Sequence, residues 1–303
     1  MKIDIIILNY NGRDLLEKYL PSVCAAAIRS VHDSAVYVLD NCSSDSSREL
    51  VAGSFPGVGF IPAPRNLVLF SYNAFVAGLD SDVVILLNTD MKAEPDFIDP
   101  LVAHFSNEKI MFAAPRLMNF DGTFNGGKSF LGFSLGAVKM RVDYDNFMSG
   151  GKTHSIATGA FRRDAFVSMG GFDDLYLPGI WEEVDLCFRA MCLGWEGVYE
   201  PRSVVFHDES TTFHREYGKK RKMTIAHRNM FLFIWKNVRE KDILFAHILL
   251  TLPRILVLLL KGQDTVLIGF IGALKRLPLA LKKRALMKTE FLERKYDLKD
   301  FIG

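Results

Sequence analysis

The feature that most narrows the fold is a design repeated near the N-terminus: a short run of apolar, often β-branched residues that stops abruptly at Asn or Asp. IDIIILNYNG (3–12), AVYVLDNCSSDSS (35–47) and DVVILLNTDM (82–91) all follow it. Such runs are the pattern of strands buried on both faces, which in a parallel sheet lack the polar alternation of a half-exposed strand. Between them lie helical stretches. DLLEKYLPSVCAAA carries Leu15, Leu16, Tyr19, Leu20 and Val23 at helical spacing, with Asp14 as a candidate cap, and SRELVAGSF and SYNAFVAGLD read the same way; VGFIPAP adds a further strand. Strands alternating with helices predict an α/β fold with an open, mostly parallel central sheet flanked by helices. Ligands of such sheets bind beyond the carboxyl ends of the strands, where this chain gathers Asn9 and Asn11, Asp40 to Asp45, and Asn88 to Asp90.

Composition excludes several classes. With 49% hydrophobic and 24% charged residues over 303 positions the chain is globular, and its net charge of +2 gives no reason to expect a nucleic-acid partner. The four cysteines, Cys24, Cys42, Cys187 and Cys192, form no CxxC pair, which argues against a zinc knot or a disulfide framework and for a reducing cytoplasm. The apolar run before Asn9 is far too short for a signal-peptide core, so secretion is not expected.

Dinucleotide and P-loop chemistry are also excluded. The first strand is followed by NYNGRD, with no GxGxxG, and GxxxxGK[ST] occurs nowhere. In their place stand side chains. Asp40 is placed to accept hydrogen bonds from a base or ribose, although DNCSSDSS also reads as a solvated turn leading into a helix. Asp90 in LLNTDM, beside Asn88, suits a hard divalent cation such as Mg²⁺ or Mn²⁺, which takes few protein oxygens and fills its shell with phosphate and water. GIWEEVDLCFR (179–189) sets Glu182, Glu183 and Asp185 at a helix start whose Val184, Cys187, Phe188 and Met191 form one apolar stripe. Asp185 and Arg189 at i, i+4 read as a surface ion pair, and first-turn acids suit the helix dipole. The glycine-rich aromatic approach GGFDDLYLPGIW would desolvate Glu183, raise its pKa and make it a better base.

Taken in order, ILNYNG, VLDNCSSDSS, LLNTDM, the block from ATGAF to EEVDLCFRAMCLGW, and VVFHDES resemble glycosyltransferase family 2, the inverting nucleotide-sugar transferases of GT-A fold, in the rhamnosyltransferase-like branch. The resemblance covers roughly residues 1–235. It implies a GT-A catalytic domain over 1–235, with a nucleotide-binding half (1–90) and an acceptor half (91–235). It further implies that Asp40 holds the base with Asn9 and Tyr10 closing that pocket, and that Arg65, Asn66, Asn73 and Asn88 border the nucleotide sugar. Asp90 would hold the metal in place of the second acid of a DxD motif whose first position is Asn88, and His207 would approach the metal or diphosphate. EEVD matches the usual EDxD, which puts Glu183 at the catalytic base with Glu182 as its rival. RNLVLFSYNAF departs from the glycine-rich helix start common in the family and implies a reshaped donor pocket.

The implied activity is transfer from a nucleoside-diphosphate sugar, of dTDP-rhamnose or UDP-hexose type, to a glycan or lipid-linked acceptor in cell-surface polysaccharide synthesis. A catalytically inactive nucleotide-sugar-binding scaffold and a sugar-phosphate nucleotidyltransferase stay open as alternatives. Acceptor choice is expected to lie in 115–155, where NFDGTFNGGKSFLGFSLG reads as a flexible loop region. Residues 236–303 form a C-terminal helical extension, strongly apolar but broken by His247, Pro253, Arg254 and Lys261 and ending in LKKRALMK. No clean membrane span is expected there. Basic amphipathic helices on the anionic cytosolic face of the plasma membrane, or a helical subdomain or homodimer interface burying the same residues, are the readings.

Overall fold

The computed structural model describes residues 1–208, 212–287 and 295–302. In chain order the first half comprises β1 (Lys2–Asn9), α1 (Arg13–Arg29), β2 (Asp33–Asp40), α2 (Ser47–Ser54), β3 (Gly59–Pro62), α3 (Ser71–Ala77), β4 (Val83–Asn88), β5 (Met91–Ala93) and α4 (Ile98–Val102). The strands β3-β2-β1-β4 are neighbours in that order and all parallel, as the apolar runs require. Ile3, Ile5 and Ile7 face a core shared with Leu16, Leu20 and Val23 of α1, while Ile6 faces the opposite core, so one strand serves both layers.

Then follow β6 (Ile110–Met118), β7 (Phe124–Gly126), β8 (Ser129–Ser134), β9 (Ala137–Val142), β10 (Gly151–Lys152), β11 (Gly159–Arg162), α5 (Arg163–Ser168), α6 (Glu182–Cys192) and β12 (Glu196–His207). The sheet continues from β4 through β11, β6 and β12 to β10. β11 runs antiparallel to both β4 and β6, whereas β6 and β12 are mutually parallel, so the sheet is mixed in this half. Within 115–155, expected to be a loop region, β8 and β9 instead form an ordered hairpin turning at Leu135 and Gly136, both with positive φ. The hairpin is held because Gly136 O receives His247 Nδ1 from the C-terminal helices.

The chain ends in α7 (Thr212–Asn237), kinked at Gly218, α8 (Lys241–Leu260) and α9 (Thr265–Leu286). The boundary expected at 235/236 falls inside the last turn of α7, and one apolar core runs from α6 through Phe231–Ile234 into Ile255, Val266 and Ala273. α8 departs from expectation. By length and composition alone, with a mean hydropathy of 2.4, it is long and apolar enough to cross a membrane, and only 22% of its most apolar stretch is buried. It buries a narrow stripe, Ile243, His247, Thr251 and Ile255, and exposes Phe245, Ile248, Leu249, Leu252, Leu256 and Leu260.

Candidate active site

The loops after β1 and β2 are stitched together by side chains. Register sets Asn9 opposite Asp40 and Leu8 opposite Asn88, so three polar strand ends lie side by side. Asn9 Nδ2 donates to Asp40 Oδ1 at 2.7 Å, and Asp40 also accepts from Ser43 N (2.9 Å) and Ser43 Oγ (2.6 Å). Asp40 is thus a held acceptor rather than a solvated turn residue. Asn11 N donates to Ser43 Oγ and Ser44 N to Asn11 Oδ1, both at 2.8 Å, with Tyr10 half-buried between. Gly12 is required by close approach, since a Cβ there would meet Asn9 Oδ1 at 2.6 Å. The cap expected of Asp14 is supplied from the other loop: Arg13 N donates to Asp45 Oδ2 at 2.9 Å, while Asp14 is exposed in the first turn.

Arg65 and Asn66 are exposed on the loop after β3. Asn66 Oδ1 accepts from Val68 N at 2.9 Å, and Val68 takes φ +54°, a conformation natural to the glycines missing from RNLVLF. Asn73 has a different use from the nucleotide contact expected of it. Its Nδ2 donates to Phe172 O (2.8 Å) and its Oδ1 accepts from Phe172 N (2.9 Å), clasping α3 to the segment that leads into α6.

Asp90 and His207 are brought together because β5 pairs with β12, setting His207 opposite Met91. His207 Nε2 lies 3.6 Å from Asp90 Oδ1, both largely buried, and Asp208 N donates to Asp90 O at 2.9 Å. Asp208, unremarked in the sequence, accepts from Tyr19 Oη at 3.0 Å. Among the described residues no three His, Cys, Asp or Glu converge on one point. One carboxylate and one imidazole nonetheless fit a Mg²⁺ or Mn²⁺ whose remaining ligands come from a diphosphate and water.

The acids of GIWEEVDLCFR separate cleanly. α6 is buried along almost its whole length, and Asp185 is wholly inaccessible, so its ion pair is not a surface pair. Asp185 accepts from Arg189 Nε (2.8 Å), Tyr176 Oη (2.7 Å), Asn237 Nδ2 (2.7 Å) and Lys236 Nζ (2.8 Å to each oxygen), because α7 and the 173–181 loop cover that face. Burial alone would raise its pKa, but Lys236 and Arg189 hold it below the usual carboxylate range. Lys236 also meets Asp173 at 2.6 Å. Among the described residues Glu182 and Glu183 meet no cation. Their carboxyls interact directly, and each has an Oε2 buried with no hydrogen-bond partner among the described residues. Burial raises both pKa values, and the Glu183 charge pushes Glu182 higher still.

α6 reaches the strand ends through one segment. The Cys187 thiol bonds the backbone of Ile156, and Thr158 Oγ1 donates to Leu86 O near the carboxyl end of β4. On the neighbouring β6, Arg116 carries a buried Nε without a partner among the described residues, and its Nη1 rests 2.7 Å from Met148 Sδ. Nothing in the local sequence marked it, since an Arg within an apolar strand declares its role only through its neighbours.

These parts place polar strand ends side by side on a mixed α/β sheet, with the Glu182–Glu183 carboxyl pair at the start of α6. The profile of Glycosyl transferase family 2 matches residues 4–168, more than half the chain, and the chain belongs to that family. An N-acetylglucosaminyl-diphospho-decaprenol L-rhamnosyltransferase of Mycobacterium tuberculosis is 24% identical over 262 residues, covering 76% of this chain and 83% of that one. Among solved structures, GalNAc-T7 with UDP, GalNAc and Mn²⁺ superposes with a TM-score of 0.59 at 15% identity, over 79% of this chain and 48% of that one. The mannosyltransferase PcManGT of Pyrobaculum calidifontis, in complex with GDP-Man and Mn²⁺, gives 0.56 at 14% identity, over 96% and 83%. The fold is GT-A.

Proposed function

We propose that this glycosyltransferase inverts the anomeric centre while moving a sugar, of dTDP-rhamnose or UDP-hexose type, from its nucleoside diphosphate to a hydroxyl of a glycan or lipid-linked acceptor in cell-surface polysaccharide synthesis. The observation that carries the reading is the Glu182–Glu183 pair: Glu182 wholly buried and Glu183 half-buried, each with a buried Oε2 that has no hydrogen-bond partner and neither with a cation among the described residues, both with raised pKa. A structural acid in this protein looks like Asp185, ringed by Lys236, Arg189, Tyr176 and Asn237. The glutamates have the opposite surroundings, which suit proton transfer at neutral pH.

Glu183, at the position the family pattern implies and beside its rival Glu182, serves as the base, and burial raises the pKa of both. It removes the acceptor hydroxyl proton as that oxygen attacks the anomeric carbon, and the nucleoside diphosphate departs from the opposite face. Asp40, positioned by Asn9 and Ser43, orients the base of the nucleotide, with Tyr10, Arg65, Asn66 and Asn88 along the donor. Asp90 and His207 would hold a Mg²⁺ or Mn²⁺, which when bound neutralises charge on the diphosphate. Arg116 meets a phosphate of the acceptor, in keeping with the diphospho-lipid named for the mycobacterial relative.

Peripheral docking on the cytosolic face of the plasma membrane is the reading favoured for α8, whose exposed apolar face is flanked by Lys241 and Lys261. The test of transfer is a panel of nucleotide sugars with Mn²⁺ and a lipid-linked acceptor. Release of nucleoside diphosphate with a β-for-α or α-for-β change in the product is expected. Release of pyrophosphate would indicate a nucleotidyltransferase, and binding without turnover a scaffold. Leu252→Glu with Leu256→Glu should abolish sedimentation with anionic vesicles while leaving the oligomeric state unchanged; loss of a dimer instead would favour the interface reading.

A further inference from the structure

The turn that launches α6 is strained. Ile180 and Trp181 adopt φ of +69° and +85°, consecutive left-handed conformations that L side chains rarely take, and least readily a β-branched one. Strained backbone of this kind persists only where its surroundings over-determine it. Here those surroundings come from α7, distant in sequence. Asn229 is wholly buried, and its Nδ2 lies 2.9 Å from Tyr176 O, 2.8 Å from Gly179 O and 2.7 Å from Ile180 O. The amide is oriented by Arg228, whose Nε donates to Asn229 Oδ1 at 2.9 Å. Arg228 and Arg276 bind carbonyls further upstream, at Leu175, Tyr176 and Leu177. Among the described residues Asn229 is the side chain that reaches Gly179 and Ile180. Trp181 is clamped from the same helix by Phe233, with ring centroids 5.1 Å apart.

The geometry points to Asn229 as a positioning residue for the Glu182–Glu183 pair, holding the left-handed Ile180–Trp181 turn that aims the first turn of α6. The inference rests on reading that pair as the catalytic base. The link is short: Trp181 O accepts the first helical bond from Asp185 N at 2.8 Å, so the direction of the two intervening glutamates follows the backbone angles at Trp181. Without three carbonyls gathered on one amide, Ile180 and Trp181 return to negative φ, the peptide plane before Glu182 rotates, and water enters beside the pair. α7 is then part of the active site rather than an appendage to it. Its role is indirect, since Asn229 holds backbone and no proposed reactant.

The test uses the full-length protein in the donor and acceptor assay, with Asn229→Ala, Asn229→Asp (isosteric, but without an amide donor) and the double variant Asn229→Ala/Ile180→Gly. A misplacement of the base by about an ångström lowers kcat on the order of 10–100-fold. Both single variants should show that loss with donor KM changed less than about threefold. Their acidic limb in kcat should move to lower pH, because a rehydrated carboxyl loses part of its raised pKa. The glycine in the double variant takes positive φ without strain and should restore at least about fivefold of the lost rate. An acidic limb that stays in place while kcat and Tm fall together, with no recovery in the double variant, overturns the proposal, as does wild-type kcat in Asn229→Asp. Glu182→Gln and Glu183→Gln are run beside them. If both keep full activity the base reading fails and the positioning role with it; if they are inactive while the Asn229 variants are normal, only the positioning role fails.

Discussion

Replacing Lys236 by methionine should destabilise the protein by about 3 kcal/mol, the lower part of the range for breaking a buried ion pair. Lys236 is 1% exposed, and its Nζ touches both oxygens of Asp185 at 2.8 Å and Asp173 Oδ2 at 2.6 Å. Methionine fills the same volume but leaves two buried carboxylates short of a cation. The loss stays moderate because Asp185 keeps Arg189, Tyr176 and Asn237, and Asp173 keeps Lys283 and the amide of Leu175. At roughly 2 °C per kcal/mol for a chain of this size, Tm should fall by about 6 °C. The pH dependence carries the sign. Although burial alone would raise them, Lys236 brings Asp173 and Asp185 below the usual range, so the stability they contribute is present above about pH 4 and disappears as pH falls toward their folded values. The gap between wild type and variant is therefore widest near neutrality and narrows below about pH 4. Adding Asp185→Asn to Lys236→Met removes the stranded charge and should recover about half the loss, a coupling read from a double-mutant cycle. A Tm change under about 2 °C at pH 7, a gap independent of pH, or strict additivity in the double variant would refute the argument.

Other outcomes follow from the site. Glu183→Gln should lower kcat by about 10²–10⁴-fold, the usual contribution of a general base, whereas Glu182→Gln, whose amide can still donate to Glu183, should lose less; initial rates under saturating donor decide it. Because burial raises the Glu183 pKa, kcat in wild type should climb with pH through a limb above the ordinary glutamate value of about 4.3; a limb at that value would contradict the desolvated setting. Asp90→Asn should raise the Mn²⁺ concentration needed for half-maximal rate by about tenfold or more while leaving Tm within a few degrees, checked by metal titration. Arg116→Ala should raise KM for a phosphate-bearing acceptor about tenfold and leave donor KM unchanged; equal effects on both substrates would remove Arg116 from the acceptor side.

Much of the N-terminal half was legible in the chain. An apolar run that must be buried on both faces leaves its first polar residue at the strand end, and register between neighbouring strands then aligns Asn9, Asp40 and Asn88. The helices α1, α2 and α3 and the strand β3 stand where the periodicity predicts them. The antiparallel β11 escaped because a strand buried on both faces has the same pattern in either direction. The hairpin of β8 and β9 escaped for a related reason: its alternation is weak, and what orders it is His247, over a hundred positions away. Asn73 looked like a ligand contact because a polar residue in an apolar helix is ambiguous until its partner, here the backbone of Phe172, is seen.

The stretch 179–189 divides the two kinds of knowledge. Its sequence determined that a helix starts there with an apolar stripe and three acids, since 3.6-residue periodicity is a local property. Spacing also paired Asp185 with Arg189. Only the tertiary structure decided which acid is held as an ion and which meet no cation among the described residues, because a carboxylate's state depends on charges and burial supplied by other segments. Lys236 and Asn237 come from α7, more than forty positions downstream, and no local pattern places them against Asp185. The same holds for the proposed metal ligands, where β5 meeting β12 joins Asp90 to His207, and for the turn at Ile180 and Trp181, which Asn229 holds through the backbone carbonyls of Gly179 and Ile180. Covalent order sets which residues are available, and long-range packing sets the electrostatics under which they act.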